Sequence, residues 1–164
     1  MMNDRKIVLD LLDELGIEYK TYEHPPIPTI EEALIHWKDI EATHCKNLFF
    51  RNHKGNRHYM VVFEHSQKLS IRDLEQRLKQ GKLSFASEKR MLKYLNTIGG
   101  SISPFGLIND KENHTVLFLD NNLLNAEYLS FHPNDNTMTV VLSLNDFKKY
   151  LAWLGNEYQF LNLY

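Results

Sequence analysis

A chain of 164 residues, 43% hydrophobic and 24% charged, reads as an ordinary soluble globule, expected to form one domain over 1–164 with a substantial core. No apolar run approaches the roughly 20 residues of a membrane span, and the opening MMNDRKIVLDLLDELG carries acids where a signal peptide would be apolar, so a cytoplasmic location without membrane partners is expected. The net charge of −2 conceals an asymmetry: residues 1–44 carry 4 basic and 10 acidic side chains, residues 45–108 carry 12 and 4, and residues 109–164 carry 3 and 7. The basic middle calls for a polyanionic partner, of which nucleic acid is the commonest, unless folding merely intersperses the charges.

Taken in chain order, Ile7, Val8, Leu11, Leu12 and Leu15 fall at helical spacing after a capping Asn3 and before Gly16. IEYKTYEH reads as a strand, PPIP as a stiff connector, and Thr29 with Glu32 as a capping box ahead of the helix IEEALIHW. CKNLFFRN and RHYMVVFEH form a hairpin around HKGN. Two basic helices follow, one opened by Ser70 with Asp73 and closed near Gly81, the other covering SEKRMLKYL. Residues 99–110, GGSISPFGLIND, are a loop rich in bare backbone. HTVLFLD, EYLSFHP and TMTVVLS then read as strands, and Ser143 with Asp146 opens a last helix, LNDFKKYLAWLG. Helices grouped between strands in this order predict an α+β domain with a mostly antiparallel or mixed sheet.

The familiar chemical signatures are missing. There is no GxxxxGK[ST] or GxGxxG loop, no HExxH or paired Cys/His spacing, and no GxSxG elbow, so no cofactor or metal is expected and a serine-hydrolase triad has no support. His44 and Cys45 are sequence neighbours on a strand and point to opposite faces, so they make no thiol–imidazole pair; Cys45 is read as a plain buried thiol. Lys46 is more informative, because a cation opening an apolar strand must face either water or something negative.

Five stretches in order carry a resemblance over about 140 residues: EHPPIPTIEEA at 23–33, CKNLFF at 45–50, LSFASEKRMLKYL at 83–95, GGSISPFGLIND at 99–110 and FHPNDNTMTVVLS at 131–143. The chain resembles the YbaK-type aminoacyl-tRNA deacylases, relatives of the editing domain inserted in bacterial prolyl-tRNA synthetases, and within them the freestanding ProX (PrdX-type) branch. The resemblance implies a curved, partly closed mixed sheet surrounded by helices. It also implies hydrolysis in trans of alanyl-tRNA(Pro), with seryl or cysteinyl esters, or a non-catalytic tRNA- or amino-acid-binding module, as the alternatives.

The same resemblance places the family's lysine on Lys46 with Asn47 beside it, its GxxxP loop on Gly100 to Pro104, and its HPxxN motif on His132 and Asn136. None of these positions departs from the family pattern. Lys46, Gly100 and His132 are then the expected catalytic residues, with Asn47, Ser101, Pro104, Asn136 and Thr29 on the substrate. Physically, the ammonium of Lys46 suits a positioning, electrostatic role, and the backbone of Gly99 and Gly100 can reach an ester because no Cβ crowds it. His132 is expected to shape the amino-acid pocket, whose walls are sought among Ile27, Ile30, Leu34 and Phe49. Lys79, Lys82, Lys89 and Arg90 are expected to meet the phosphates of a tRNA(Pro) acceptor stem. Prolyl-tRNA synthetase is a further possible partner.

Overall fold

Ten residues, Thr43–Asn52, form the strand on which the molecule is organised. Its neighbouring phenylalanines, Phe49 and Phe50, are 1% and 0% exposed although they point to opposite faces, so both sides of the strand are covered. The computed structural model describes residues 4–26 and 30–164. Within them five helices, α1 (Asp4–Glu14), α2 (Ile30–Trp37), α3 (Ile71–Leu78), α4 (Glu88–Leu95) and α5 (Leu144–Leu154), flank eight strands. The strands are β1 (Tyr19–Glu23), β2 (Thr43–Asn52), β3 (His58–Glu64), β4 (Leu83–Phe85), β5 (Val116–Asp120), β6 (Tyr128–Phe131), β7 (Met138–Ser143) and β8 (Tyr158–Leu161).

The expected α+β architecture is present, with one mixed sheet in the order β1-β7-β6-β2-β3-β5-β8 and β4 added beside β2. The sheet is not closed: among the described residues its end strands, β1 and β8, do not pair. Pairings β2–β6, β3–β5 and β5–β8 are parallel, the rest antiparallel. The predicted hairpin is β2–β3, with Cys45 opposite Glu64 and Arg51 opposite His58.

One edge of β2 is split. Its first residues pair with β6 (Thr43 with Leu129, His44 with Ser130) and its last with β4 (Phe50 with Phe85 to Asn52 with Leu83). Between them, the Phe49 carbonyl accepts from the Ala86 N–H. The residues from Cys45 to Leu48 therefore border a gap in the sheet.

Three apolar clusters cover the two faces. On one, Val8 and Leu12 of α1, Leu95 of α4, and Phe147, Tyr150 and Leu151 of α5 pack with Phe49, Met60, Phe105, Phe131 and Val140. On the other, α3 covers Phe50, Tyr59, Val61 and Phe63 through Leu74 and Leu78, while α2 covers Val141 through Ala33 and Trp37. The seam between the last two clusters falls on β2 between His44, which stacks on Trp37 at 4.3 Å, and Leu48. Lys46 shares that face, and it lies at the seam.

The helix signals were correctly placed where caps decide them. Ser70 and Asp73 form a reciprocal capping box on α3, and the Ser143 hydroxyl accepts from the Asp146 N–H on α5. α3 stops earlier than the expected Gly81: Lys79 takes the left-handed cap at φ 56° and Gly81 (φ +81°) turns the chain into β4. The capping residues Asn3 and Thr29 lie outside the described residues.

Candidate active site

The bare-backbone segment folds into two 3-10 turns, Gly99–Ser101 and Pro104–Asn109. Gly99 takes φ +53°, the left-handed region open to glycine at least cost. Inside the first turn Ser101 and Ile102 donate their N–H groups to the Ile98 and Gly99 carbonyls. The N–H groups of Gly99 and Gly100 take no backbone partner among the described residues, and both glycines are exposed. Exposed amides without a backbone partner are the kind of donor an oxyanion needs.

Three of the hydrogen bonds that fix this segment from outside act around Pro104. The Ser103 hydroxyl donates to the His132 carbonyl at 2.6 Å, the Tyr150 hydroxyl donates to the Pro104 carbonyl at 2.8 Å, and the Asn134 amide donates to the Phe105 carbonyl at 3.3 Å. The GxxxP loop and the HPxxN loop, separated by about thirty residues of chain, thus form one unit. Asn134, at φ 61° and buried, does the tying within HPNDN. Asn136, the residue singled out from sequence, is half-buried on the outer part of the turn. Ser101 is half-buried in its turn, and Pro104 is buried under the Tyr150 hydroxyl. Close packing continues to Gly106, where a Cβ would meet Leu95 Cβ at 3.2 Å.

His132 is oriented by its own ring: Nδ1–H donates to the Met138 carbonyl at 2.8 Å, which leaves Nε2 as the acceptor nitrogen. Burial pushes its pKa down, aided by His24 and opposed by the Met138 bond and by Asp135. The ring is therefore neutral at pH 7. His24 lies 5.7 Å from it, centroid to centroid, and His36 of α2 lies 5.7 Å beyond His24. The His24 ring is itself held by the Thr139 hydroxyl at 2.8 Å and the Pro25 carbonyl at 3.0 Å. The sequence reading did not single out His24 and His36, which sit in EHPP and LIHW on either side of the PPIP connector.

Lys46 lies on the stretch of β2 that borders the gap. The parallel register that sets His44 against Ser130 would, carried two residues on, set Lys46 against His132 on the same face. The structure brings no direct contact between them. The Lys46 ammonium instead donates to the Gln67 carbonyl at 3.1 Å, beside a recess of about 540 Å³. Asn47 points to the opposite face, where its side-chain oxygen is buried with no hydrogen-bond partner among the described residues. The two residues expected side by side flank the β2 edge from its two faces instead, a consequence of strand alternation. Cys45 is 8% exposed in the core, and burial pushes its thiol well up, as befits an inert cysteine.

Of the residues assigned to phosphates, Lys79, Lys82 and Lys89 are exposed. Arg90 is already engaged: its Nη1 donates to the Gly55 carbonyl at 2.8 Å and to His58 Nε2 at 3.0 Å, clasping α4 to the β2–β3 turn. Of the candidate pocket walls, Leu34 is 46% exposed on α2 and Phe49 is fully buried in the core. Ile27 and Thr29 lie outside the described residues, as does the side chain of Ile30.

A split sheet edge, an exposed glycine turn joined through Ser103 to the His132 loop, and a lysine at the seam gather the kinds of group an ester-hydrolysing site uses: backbone donors, an oriented imidazole and a cation. The comparisons with known proteins fit that class. Residues 24–150 match the model of the aminoacyl-tRNA editing domain, and the chain belongs to that family. It is therefore an aminoacyl-tRNA deacylase, a hydrolase of a carboxylic ester. Among its relatives is the prolyl-tRNA editing protein ProX of Acetoanaerobium sticklandii, 42% identical over 164 residues and covering 99% of each chain. Another is the mouse prolyl-tRNA synthetase associated domain-containing protein 1, 32% identical over 155 residues, 92% of this chain and 91% of that one. The fold matches a crystal structure put forward as a trans-editing enzyme for prolyl tRNA synthetase, with TM-score 0.71 and 20% identity over 99% of this chain and 98% of that one.

Proposed function

We propose that the chain acts in trans on alanyl-tRNA(Pro), releasing alanine and free tRNA. The observation that carries this reading is the Ser103–His132 hydrogen bond, which joins the two loops that would hold the ester and the amino acid into one unit. The 42% likeness to a prolyl-tRNA editing protein supports the choice of tRNA.

In this reading water attacks the ester carbonyl, the oxyanion of the tetrahedral intermediate takes hydrogen bonds from the exposed Gly99 and Gly100 amides, and the C–O bond to the ribose breaks. The attacking water gives up a proton as its oxygen bonds to the carbonyl carbon, and the ribose oxygen takes up a proton and leaves as the hydroxyl. Lys46 supplies positive charge to the terminal nucleotide at the seam, and no bond to it is made or broken. Neutral His132, with Nε2 free to accept, orients the amino acid or the water. Asn47, Ser101, Pro104 and Asn136 shape the pocket on the loop side of the gap.

Choosing alanine over proline is a matter of pocket size, since each methylene an apolar wall accepts or rejects is worth about 1–3 kcal/mol. Acceptor-stem phosphates meet Lys79, Lys82 and Lys89, and a transient complex with prolyl-tRNA synthetase would present the mischarged product directly. The test is release of amino acid from alanyl-, seryl-, cysteinyl- and prolyl-tRNA(Pro) at fixed salt. Preference for serine or cysteine would keep the chemistry and move the pocket. Tight binding of tRNA without release of any of the four would favour a binding module.

A further inference from the structure

Beside Lys46 the outer face carries a recess of which the reading above uses Lys46 alone. Leu48, Phe63 and Leu69 line it with Phe85, and Lys46 and Lys68 contribute its cations. Its volume of about 540 Å³ is within the range of small-ligand sites. No carboxylate lines it among the described residues.

Phe85 is the unusual member. It is 56% exposed, yet it is not loose: β4 pairs Phe85 with Phe50 on β2, and the two rings stack at 4.8 Å with 26° between their planes. An exposed aromatic ring held from beneath by a buried one is a ready stacking platform. Lys46 spends one of its three N–H donors on the Gln67 carbonyl and keeps two, and Lys68 is exposed on the same recess. An apolar peptide side chain would fill the recess and leave both cations without a counter-charge. A heteroaromatic base joined to a phosphodiester satisfies the ring and the ammonium groups together.

We propose that this recess is the subsite for the 3′-terminal nucleotide of the tRNA, its base stacked against Phe85 and the preceding phosphodiester set between Lys46 and Lys68. The proposal rests on the reading that the substrate is an aminoacyl-tRNA, and it gives that reading a direction. With the base in the recess, the ribose lies at Lys46 and the ester points into the gap toward His132 and the glycine turn.

The test uses binding rather than turnover. The affinity of the protein for an uncharged acceptor-stem RNA hairpin ending in CCA is compared, by fluorescence anisotropy at fixed salt, with that for the same hairpin ending in an abasic nucleotide. Removing the base should weaken binding to the unaltered protein about tenfold, and Phe85→Ala should weaken binding of the intact hairpin by a similar factor and no longer tell the two RNAs apart. Phe85→Trp should restore the difference, and Lys68→Ala should lower the salt slope of binding by about one. Free AMP should compete only weakly, because it lacks the rest of the stem.

Equal affinity of the unaltered protein for both hairpins, no binding of either, or a Phe85→Ala protein that still discriminates would each overturn the subsite. Failure of the deacylase reading shows separately, as absence of hydrolysis of the alanylated hairpin alongside an intact base-dependence of binding.

Discussion

Lys46 has three donors, and the fold uses one, on the Gln67 carbonyl. Its ammonium stands half-buried at the seam between two apolar clusters with two donors left for a negative partner. Lys46→Ala is expected to lower the single-turnover deacylation rate about 100-fold, the scale of losing one electrostatic stabiliser, while the thermal midpoint stays near that of the unaltered protein. A rate within twofold would contradict the role. Ser103 offers a different contrast. Its hydroxyl donates to the His132 carbonyl and accepts from the Phe105 N–H, so Ser103→Ala leaves the half-buried carbonyl without this donor and the buried Phe105 N–H without its acceptor. The expected cost is about 1–3 kcal/mol in stability, read by urea denaturation, together with a fall in kcat because both loops lose their register.

At the scale of elements, the glycine turns are held by α5 and by the 132–138 turn rather than by their own sequence. Tyr150 is fully buried, burial pushes its phenol well up, and its hydroxyl donates to the Pro104 carbonyl. Tyr150→Phe keeps the packing against Phe105 and Phe147 and removes that donor, so stability should fall by about 1–2 kcal/mol with the fold intact, measured by chemical denaturation.

Two elements also carry buried neutral histidines. Burial holds His44 of β2 at about 4, and burial with the neighbouring His114 and Arg90 holds His58 of β3 at about 4. His132 is shifted in the same direction. Because these folded values lie below the unfolded one near 6.5, the unfolded chain binds more protons as pH falls. The stabilisation is full above about pH 6.5 and is lost as pH drops toward 4, so urea midpoints should fall steadily from pH 7 to 4.5. A constant midpoint over that interval would contradict neutral burial.

Element identity was largely legible in the sequence because it is local. Ser70–Asp73 and Ser143–Asp146 announce their helices, and alternating or continuous apolar runs mark β2, β3, β5 and β7. β4 and β8 were not assigned: β4 is three residues long, and β8 joins β5 in parallel, a pairing with no turn of its own to signal it. The site was legible as a set of motifs and not as a geometry. That Ser103 reaches His132, that Asn134 rather than Asn136 ties the loops, and that Asn47 faces away from Lys46 are all long-range or alternation effects. They depend on where β2 ends its pairing with β6.

Over the whole molecule the charge asymmetry of the sequence becomes a division of surface. The basic segment supplies the β2–β3 hairpin, α3, β4 and α4. A groove of about 950 Å³ on the β1–β7–β6 side is lined by Glu18, Asp39, Glu41, Glu127 and Asp146 among others. A polyanion is attracted by the cations of the basic segment and repelled by the carboxylates of this groove, which biases its approach. Lys79→Ala and Lys89→Ala are therefore expected to leave the thermal midpoint unchanged and to reduce the salt slope of tRNA binding by up to about one each. Arg90→Ala should do the reverse. It strips the Gly55 carbonyl and the buried His58 Nε2 of their donor, so stability falls by about 1–3 kcal/mol, read from thermal or urea unfolding. Sequence could show that Arg90 is basic, but not that a hairpin turn 35 residues away had already claimed it.

The central claim is that the gap beside β2 hydrolyses an amino acid ester on proline tRNA and selects it by size. It is tested most directly by single-turnover deacylation of alanyl-, seryl-, cysteinyl- and prolyl-tRNA(Pro), with the Lys46→Ala protein alongside. Rapid release of alanine, slow release of proline, and loss of both with Lys46→Ala are the predicted result. Release of proline as fast as alanine, or hydrolysis of none of the four above the uncatalysed rate, would contradict it.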